Sequence, residues 1–89
     1  MITRDIQIKN KMGLHARPAA MLAQTAGKFA ADIKITKSGV EVNAKSIMGI
    51  MMLAAEYGSI LTVAIDGSDE NEALNAILNL FENNFSEAY

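Results

Sequence analysis

The feature that most restricts the fold of this chain is a tight connection between two alternating segments near its middle. Residues 32–36 and 40–44 alternate apolar and polar side chains, which is typical of half-buried strands. Only Lys37, Ser38 and Gly39 separate them, and glycine accepts the positive φ that such short connections require. The sequence therefore predicts an antiparallel β-hairpin here.

Strand and helix patterns on either side of this hairpin set the order of the elements. Residues 2–9 and 59–65 predict a first and a fourth strand. Helical spacing of apolar residues predicts helices at residues 16–27 and after Asp69, and residues 47–53 predict a shorter one between them. The order β-α-β-β-α-β-α satisfies every apolar stripe if the three helices cover one face of a four-stranded sheet. We therefore expect an α+β open-faced sandwich.

Local rules place the ends of these helices. Gly27 is expected to stop the first helix, because glycine is favoured at that position. Ser46 is a favoured N-cap type for the short helix, and Asp69 with Glu72 has the spacing of a capping box. The tail, residues 86–89, is expected to fray. The predicted apolar stripe of the last helix comprises Leu74, Ile77, Leu78, Phe81 and Phe85.

Composition excludes several classes of function. The chain of 89 residues has no cysteine and one histidine, which leaves no means to build a disulfide, a thiolate site or a histidine metal cluster. Net charge is −2 without a basic block, which argues against nucleic-acid binding, and the apolar runs are too short to insert into a membrane. The first residues lack a signal-peptide profile. We expect a monomeric, cytoplasmic single domain of residues 1–89 without metal or cofactor.

Chemistry is concentrated in residues 13–20, GLHARPAA, which contain the only histidine and the only proline of the chain. Pro18 is tolerated in the first turn of a helix, so His15 is expected at the N-terminus of the first helix. Unpaired backbone N–H groups of Ala16 and Arg17 and the positive end of the helix dipole favour an anion there, and the Arg17 guanidinium suits phosphate. This arrangement indicates that His15 is itself phosphorylated. The alternative is a surface or capping histidine without chemistry.

The same residues resemble the signature of a known family. Residues 13–19, GLHARPA, resemble the active-site signature of the HPr family, the histidine-containing phosphocarrier proteins of the bacterial phosphotransferase system. Residues 45–51, KSIMGIM, resemble the regulatory-serine segment of that family, and their separation from the first motif also fits. The resemblance covers essentially the whole chain and implies an open-faced sandwich with an antiparallel sheet.

The resemblance implies a phosphoryl carrier that acts as a co-substrate and is not itself an enzyme. His15 would accept a phosphoryl group on Nδ1 from phosphorylated enzyme I, which phosphoenolpyruvate charges. It would then donate the group to IIA proteins or domains for sugar uptake. Arg17, together with the backbone N–H groups of Ala16 and Arg17, would stabilise the phosphate.

Ser46 has two compatible interpretations. As an N-cap, its hydroxyl would satisfy a free backbone N–H group at the start of the short helix. In Gram-positive members of the resembled family the matching serine is phosphorylated by a dedicated kinase, which weakens transfer to the histidine. The resemblance therefore implies regulatory phosphorylation of Ser46 and a serine kinase/phosphorylase as a further partner.

The short helix carries more apolar residues than two turns can bury. Ile50 and Leu53 are expected in the core, which leaves a methionine-rich surface beside His15. Methionine is flexible and polarisable, and suits a surface that must fit several partners in turn. The resemblance supports docking through the first helix and this short helix. The predicted docking residues are Met12, Ala20, Met21, Gln24, Ile47, Met48 and Met51.

Two departures from the family pattern keep alternatives open. Many members carry a polar residue in place of Met12, where it can contact the phosphoryl group, and a methionine cannot donate that hydrogen bond. Residues 77–85 are similar to the nitrogen-related branch of the family. The alternatives are therefore a nitrogen-related carrier with a regulatory output, and an interaction or regulatory domain that works without histidine phosphorylation.

Overall fold

The computed structural model describes residues 1–86, and its elements follow the predicted order. Ser86, the first residue of the tail predicted to fray, closes a turn by donating its N–H group to the Asn83 carbonyl, and the other residues of that prediction, 87–89, lie outside the described residues. The strands are β1 (Ile2–Gln7), β2 (Asp32–Lys37), β3 (Val40–Asn43) and β4 (Ile60–Asp66). The helices are α1 (Ala16–Gly27), α2 (Ile47–Met52) and α3 (Glu70–Glu82), followed by a 3₁₀ turn at Asn84–Ser86.

The four strands form one antiparallel sheet in the order β1-β4-β2-β3. The central strand β4 turns Leu61, Val63 and Ile65 towards the helices, where all three are fully buried as predicted. The register sets Ile6 opposite Leu61 and Ile35 opposite Val63, so cross-strand neighbours share the covered face. The prediction of an α+β open-faced sandwich with an antiparallel sheet is confirmed.

The hydrophobic core lies between this sheet and the helices. Leu22 of α1 and Ile77 of α3 are fully buried, and each such side chain stabilises the fold by about 1.5–3 kcal/mol. From α2 and its C-terminal end, Ile50 and Leu53 reach the same core, as predicted. The short helix is therefore anchored by two apolar side chains while the rest of its surface remains outside.

The predicted hairpin is confirmed in its turn chemistry. Ser38 has a φ of 51° and Gly39 a φ of 82°, so both central residues have the left-handed backbone of a type I′ turn. This turn matches the twist of the strands that it joins, and glycine relieves the steric strain at one of its two positions. The connection sets the register of β2 against β3 and, with it, the positions of the side chains at the end of β2.

α1 ends near Gly27, but not through a glycine cap as predicted. Gly27 lacks a left-handed φ. The chain leaves α1 through tighter turns instead, in which Lys28 N–H donates to Thr25 O and Phe29 N–H donates to Ala26 O, each at 3.2 Å. Such 3₁₀-type bonds satisfy the last carbonyls of the helix without a glycine in the left-handed region.

The predicted capping box between Asp69 and Glu72 is also wrong. The Asp69 carboxylate accepts hydrogen bonds from the Ala30 and Ala31 N–H groups, at 2.8 and 2.9 Å, and does not cap α3. Glu70 reaches back instead, and its Oε1 accepts from Gly67 N–H at 3.2 Å. Two N–H donors from a distant loop are better partners for a carboxylate than one from its own helix. They lower the pKa of Asp69 below 3.8, with the Ala30 N–H as the largest cause.

Phe85 reaches the core by a different route from the predicted one. α3 ends at Glu82, and Phe85 has a left-handed φ of 54°, so it does not continue the helical stripe. Its ring is nevertheless fully buried and packs edge-on against Phe81, with 4.9 Å between ring centroids. The turn after α3 therefore serves to return one aromatic side chain to the core.

Candidate functional site

The site is built around the N-terminus of α1, where His15 is the N-cap residue. His15 has extended backbone angles and is half-buried, and its carbonyl accepts the N–H group of Ala19 at 3.0 Å. In the part of the chain that the structure describes, its side chain makes no capping hydrogen bond to the first turn of α1. Ala16, Arg17 and Pro18 precede the first helical hydrogen bond, and proline brings no N–H group. Two backbone donors therefore point out of this helix end.

The charge at this helix end is positive. The helix dipole places a partial positive charge beside the Ala16 and Arg17 N–H groups. Arg17 is exposed, and its guanidinium adds a full charge with a forked set of donors. The first turn of α1 contains no acidic residue that would compete for these donors. The arrangement is suited to an oxyanion held next to the His15 imidazole.

Hydrogen bonds hold the loop that precedes His15. The buried Asn10 side chain donates through Nδ2 to the Gly13 carbonyl at 2.8 Å, and Gly13 N–H donates back to the Asn10 carbonyl at 3.1 Å. Leu14 N–H then donates to the Ala55 carbonyl at 2.9 Å. Gly13 has a φ of 66°, and a Cβ there would lie 2.5 Å from the Ala55 oxygen, so only glycine fits.

His15 opens onto a shallow depression between this loop and the end of α2. One wall is the chain before His15, and the other is Met51 with the residues that follow α2. Ala54 in that wall has a φ of 49°, a left-handed conformation that a residue with a Cβ adopts at a cost of about 1–2 kcal/mol. The depression is lined by Lys11, Met12, Leu14, His15, Met51, Ala54, Ala55, Glu56 and Tyr57.

Ser46 lies at the N-terminus of α2 and caps it as predicted. Its Oγ accepts the Gly49 N–H group at 3.0 Å, and its carbonyl accepts the Ile50 N–H group at the same distance. A Cβ at Gly49 would lie 3.3 Å from the Ser46 hydroxyl oxygen, so the cap is closely packed. Ser46 is half-buried and does not line the depression around His15.

The predicted docking residues occupy two neighbouring helices and the loop before the first. Met12 is 59% exposed and Met48 74% exposed, whereas Ala20 and Met21 are half-buried on α1. Only Met12 and Met51 of the set also line the depression with His15. The remaining members, Gln24 and Ile47, are exposed.

Several residues of this region were missed by reasoning from sequence. Tyr57 is 65% exposed and lines the depression together with Lys11 and Glu56. These residues have no pattern of their own, because they lie in loops that the fold brings together. The signal that could have found them is Gly58, whose φ of 86° and N–H donation to the Ile8 carbonyl fold the second loop against the first.

Other kinds of site receive no support from residues 1–86. No group of three or more acidic or histidine side chains in this part of the chain could hold a metal ion. No helix within it has the length and the apolar character needed to cross a membrane.

Comparisons with known proteins give consistent matches. Residues 2–83 match the family model PTS-HPr, described as the PTS HPr component phosphorylation site. The phosphocarrier protein HPr of Cupriavidus necator is 53% identical over 87 residues, which cover 98% of each chain. The HPr-like protein Crh of Bacillus subtilis is 44% identical over 77 residues, covering 86% of this chain and 91% of Crh. A crystal structure of HPr from Thermoanaerobacter tengcongensis matches with a TM-score of 0.96 and 48% identity, with both chains covered in full.

Proposed function

Since the chain belongs to the HPr family of phosphocarrier proteins of the phosphotransferase system, we propose that His15 is the residue that carries its phosphoryl group. A phosphocarrier is a co-substrate of other enzymes and is not a catalyst. The observation that carries the assignment is the placement of the only histidine of the chain at the open N-terminus of α1, beside an exposed arginine.

The proposed reaction is a reversible transfer of a phosphoryl group between His15 and its partners. An imidazole nitrogen of His15, Nδ1 by the family resemblance, attacks the phosphorus of phosphorylated enzyme I, and the bond from phosphorus to enzyme I breaks as the new one forms. A IIA protein or domain then attacks the same phosphorus and releases His15. The Ala16 and Arg17 N–H groups and the Arg17 guanidinium hold the phosphoryl oxygens during both transfers. Met12 adds no donor, so the phosphate is expected to rely on these groups.

The proposed docking surface for both partners surrounds His15. An apolar, methionine-rich surface can adapt to enzyme I and to a IIA protein in turn, because methionine side chains repack at small cost. The partners are therefore expected to cover the depression and the outer faces of α1 and α2 together. The surface comprises Met12, Ala20, Met21, Gln24, Ile47, Met48 and Met51.

Ser46 is the proposed site of regulatory phosphorylation by a serine kinase/phosphorylase. Its hydroxyl sits at the positive end of α2, next to the docking residues Ile47 and Met48. A phosphate there would be compatible with the helix dipole while adding negative charge to the docking surface. The similarity to Crh, described as a catabolite repression HPr in Bacillus subtilis, supports a regulatory role for this segment.

We propose the cytoplasm as the place of action and a monomer as the working form. Dimers of the Thermoanaerobacter tengcongensis HPr and of Crh have been solved, so the solution mass of this chain is a direct check. A monomer mass by light scattering is the expected result. The sugar branch is proposed over the nitrogen-related branch because the similar proteins quoted above are HPr and Crh.

The test is the intact mass of the protein after incubation with enzyme I and phosphoenolpyruvate. The wild-type chain is expected to gain one acid-labile phosphoryl group, and His15→Ala is expected to gain none. Ser46→Ala is the matched control, and it should be phosphorylated like the wild type. Absence of any gain with several active enzyme I proteins would overturn the assignment and favour an interaction domain.

A further inference from the structure

Lys37, the last residue of β2, bridges the sheet to the end of α2. Side chains alternate between the two faces of a strand, so Lys37 lies on the same face as Ile33 and Ile35. This is the face of the sheet that the helices cover. Its Nζ donates to the Leu53 carbonyl at 3.2 Å and to the Ala54 carbonyl at 3.3 Å. One ammonium group therefore holds two consecutive carbonyls from outside the helix.

These carbonyls belong to a helix end that lacks a cation of its own. α2 has no basic residue in its last turn, and its final carbonyls carry the negative end of the helix dipole. The chain leaves the helix through Ala54 in a left-handed conformation, which is strained for a residue with a Cβ. Such a conformation persists only where the surroundings hold it, and the Lys37 ammonium group contacts the Ala54 carbonyl directly.

The held segment is also the support for the His15 loop. Ala54 and Ala55 line the depression onto which His15 opens. The Ala55 carbonyl accepts the Leu14 N–H group at 2.9 Å, one residue before His15. A continuous series of contacts thus runs from Lys37 through Ala54 and Ala55 to Leu14.

We propose that Lys37 is a positioning residue for phosphoryl transfer: its ammonium group holds the carbonyls after α2 and thereby orients the loop that presents His15. Lys37 contacts neither the imidazole nor the oxyanion site. Its effect is therefore expected in the turnover of transfer, and not in the KM of enzyme I for this protein. The expected effect on the transfer rate rests on the proposed role of His15. The expected effect of Lys37 on the loop at Leu14 does not depend on that role.

The test compares Lys37→Met, which keeps an apolar stem, with Lys37→Arg, which keeps a positive donor. Lys34→Met is the matched control, because the Lys34 side chain lies on the other face of β2. Its Nζ lies 3.7 Å from an Asp32 carboxylate oxygen. Two quantities are measured at a temperature where all variants are folded: the rate of transfer from enzyme I, and amide hydrogen exchange at Leu14. Exchange at Ala44, whose N–H donates to Ile33 O in the sheet, reports general stability.

Lys37→Met is expected to lower turnover about tenfold and to raise exchange at Leu14 about tenfold relative to Ala44, with Lys37→Arg close to wild type. Unchanged transfer and unchanged Leu14 exchange would overturn the proposal. A parallel rise in exchange at Leu14 and Ala44 without a change in turnover would also overturn it, since that result describes stability alone. If the wild-type chain accepts no phosphoryl group, the proposed function fails, and Leu14 exchange alone then decides whether Lys37 holds the loop.

Discussion

The N-termini of α1 and α2 belong to helices that pack against each other, yet they differ in their N-cap and third position. At α2, the Ser46 hydroxyl accepts the Gly49 N–H group, so the third backbone donor of this helix end is satisfied by its own N-cap. At α1, Ala16 and Arg17 keep their N–H groups outside the helical hydrogen bonds, and proline occupies the next position. The two ends therefore differ at the third position, where α2 has a donor that its serine satisfies and α1 has a proline, and in the N-cap side chain, which at α1 is an imidazole.

α3 shows a third arrangement that clarifies the other two. Asp69 is the N-cap of that helix, but its carboxylate binds the Ala30 and Ala31 N–H groups of a different loop. Here an oxyanion that belongs to the chain already occupies two consecutive backbone donors. The α1 end offers two consecutive donors, at Ala16 and Arg17, without such a resident carboxylate in its first turn. Two consecutive backbone donors thus bind a carboxylate within this chain, and the two at Ala16 and Arg17 are proposed to bind a phosphoryl group in the same way.

The largest expected effect concerns the support of the open end. Gly13→Ala places a Cβ 2.5 Å from the Ala55 oxygen at a φ of 66°, so both the contact and the backbone are strained. We expect a loss of about 2–4 kcal/mol in the free energy of unfolding, measured by denaturant titration. Gly39→Ala is the control, because its φ of 82° is similar but no atom lies within 4 Å of the added Cβ. That variant should lose about 1–2 kcal/mol, and equal losses for the two would contradict the close-approach argument.

The next effect distinguishes the role of Arg17 in phosphoryl transfer from any role in the stability of the fold. Arg17→Met removes the guanidinium of an exposed side chain, so the free energy of unfolding should change by about 0.5 kcal/mol or less. Transfer of the phosphoryl group should fall about tenfold to a hundredfold, the range for losing a charge-assisted hydrogen bond. Stopped-flow mixing with phosphorylated enzyme I measures the rate. Arg17→Lys should transfer at a rate between those of the wild type and Arg17→Met. A normal rate in Arg17→Met would show that the backbone donors suffice.

Local patterns predicted the elements and the position of His15 at a helix start, because both depend on neighbours in sequence. The Ser38-Gly39 turn, the Ser46 cap and the division of α2 into buried Ile50 and Leu53 with exposed methionines all follow from spacing of a few residues. His15 at a helix start follows likewise from a proline three residues later. These predictions needed no knowledge of which strands become neighbours.

The features that sequence reasoning missed depend on distant segments. Asp69 contacts a loop 38 and 39 residues away, and Lys37 contacts carbonyls 16 and 17 residues away. A local rule assigned Asp69 to its own helix, because the alternative donors are visible only once β2 and β4 are paired. Tyr57 beside His15 was missed for the same reason, since two loops meet there through backbone hydrogen bonds that any sequence could make.

A smaller effect tests the Ser46 cap at the N-terminus of α2. Ser46→Ala removes the hydroxyl that accepts Gly49 N–H, and the expected loss is about 1 kcal/mol in the free energy of unfolding. Transfer to His15 should stay at the wild-type rate, because Ser46 does not line the depression. Ser46→Asp should retain most of the stability through a carboxylate cap while slowing transfer by its charge. A wild-type stability for Ser46→Ala, measured by thermal and denaturant unfolding, would remove the contrast between the two helix ends.

The smallest effect is a dependence on pH at the α3 end. The Ala30 N–H group, followed by that of Ala31, lowers the pKa of Asp69 in the folded chain below its ordinary value of 3.8, and partial burial opposes the shift. A lowered folded pKa means that the ionised form stabilises the fold fully above the unfolded value. That contribution is lost as pH falls from about 4 through the folded pKa.

Asp69→Asn is the variant that isolates this contribution, because an amide can accept one N–H group but turns its own NH₂ towards the other. The difference in the free energy of unfolding between wild type and variant should be constant from pH 7 to about pH 5 and shrink below pH 4. Urea titrations at several pH values measure it, and the other carboxylates, common to both proteins, cancel. A difference that stays constant down to pH 3 would mean that shape, and not charge, holds the α3 end. The occupied donors at Ala30 and Ala31 would then no longer be a fair comparison for a phosphate at α1.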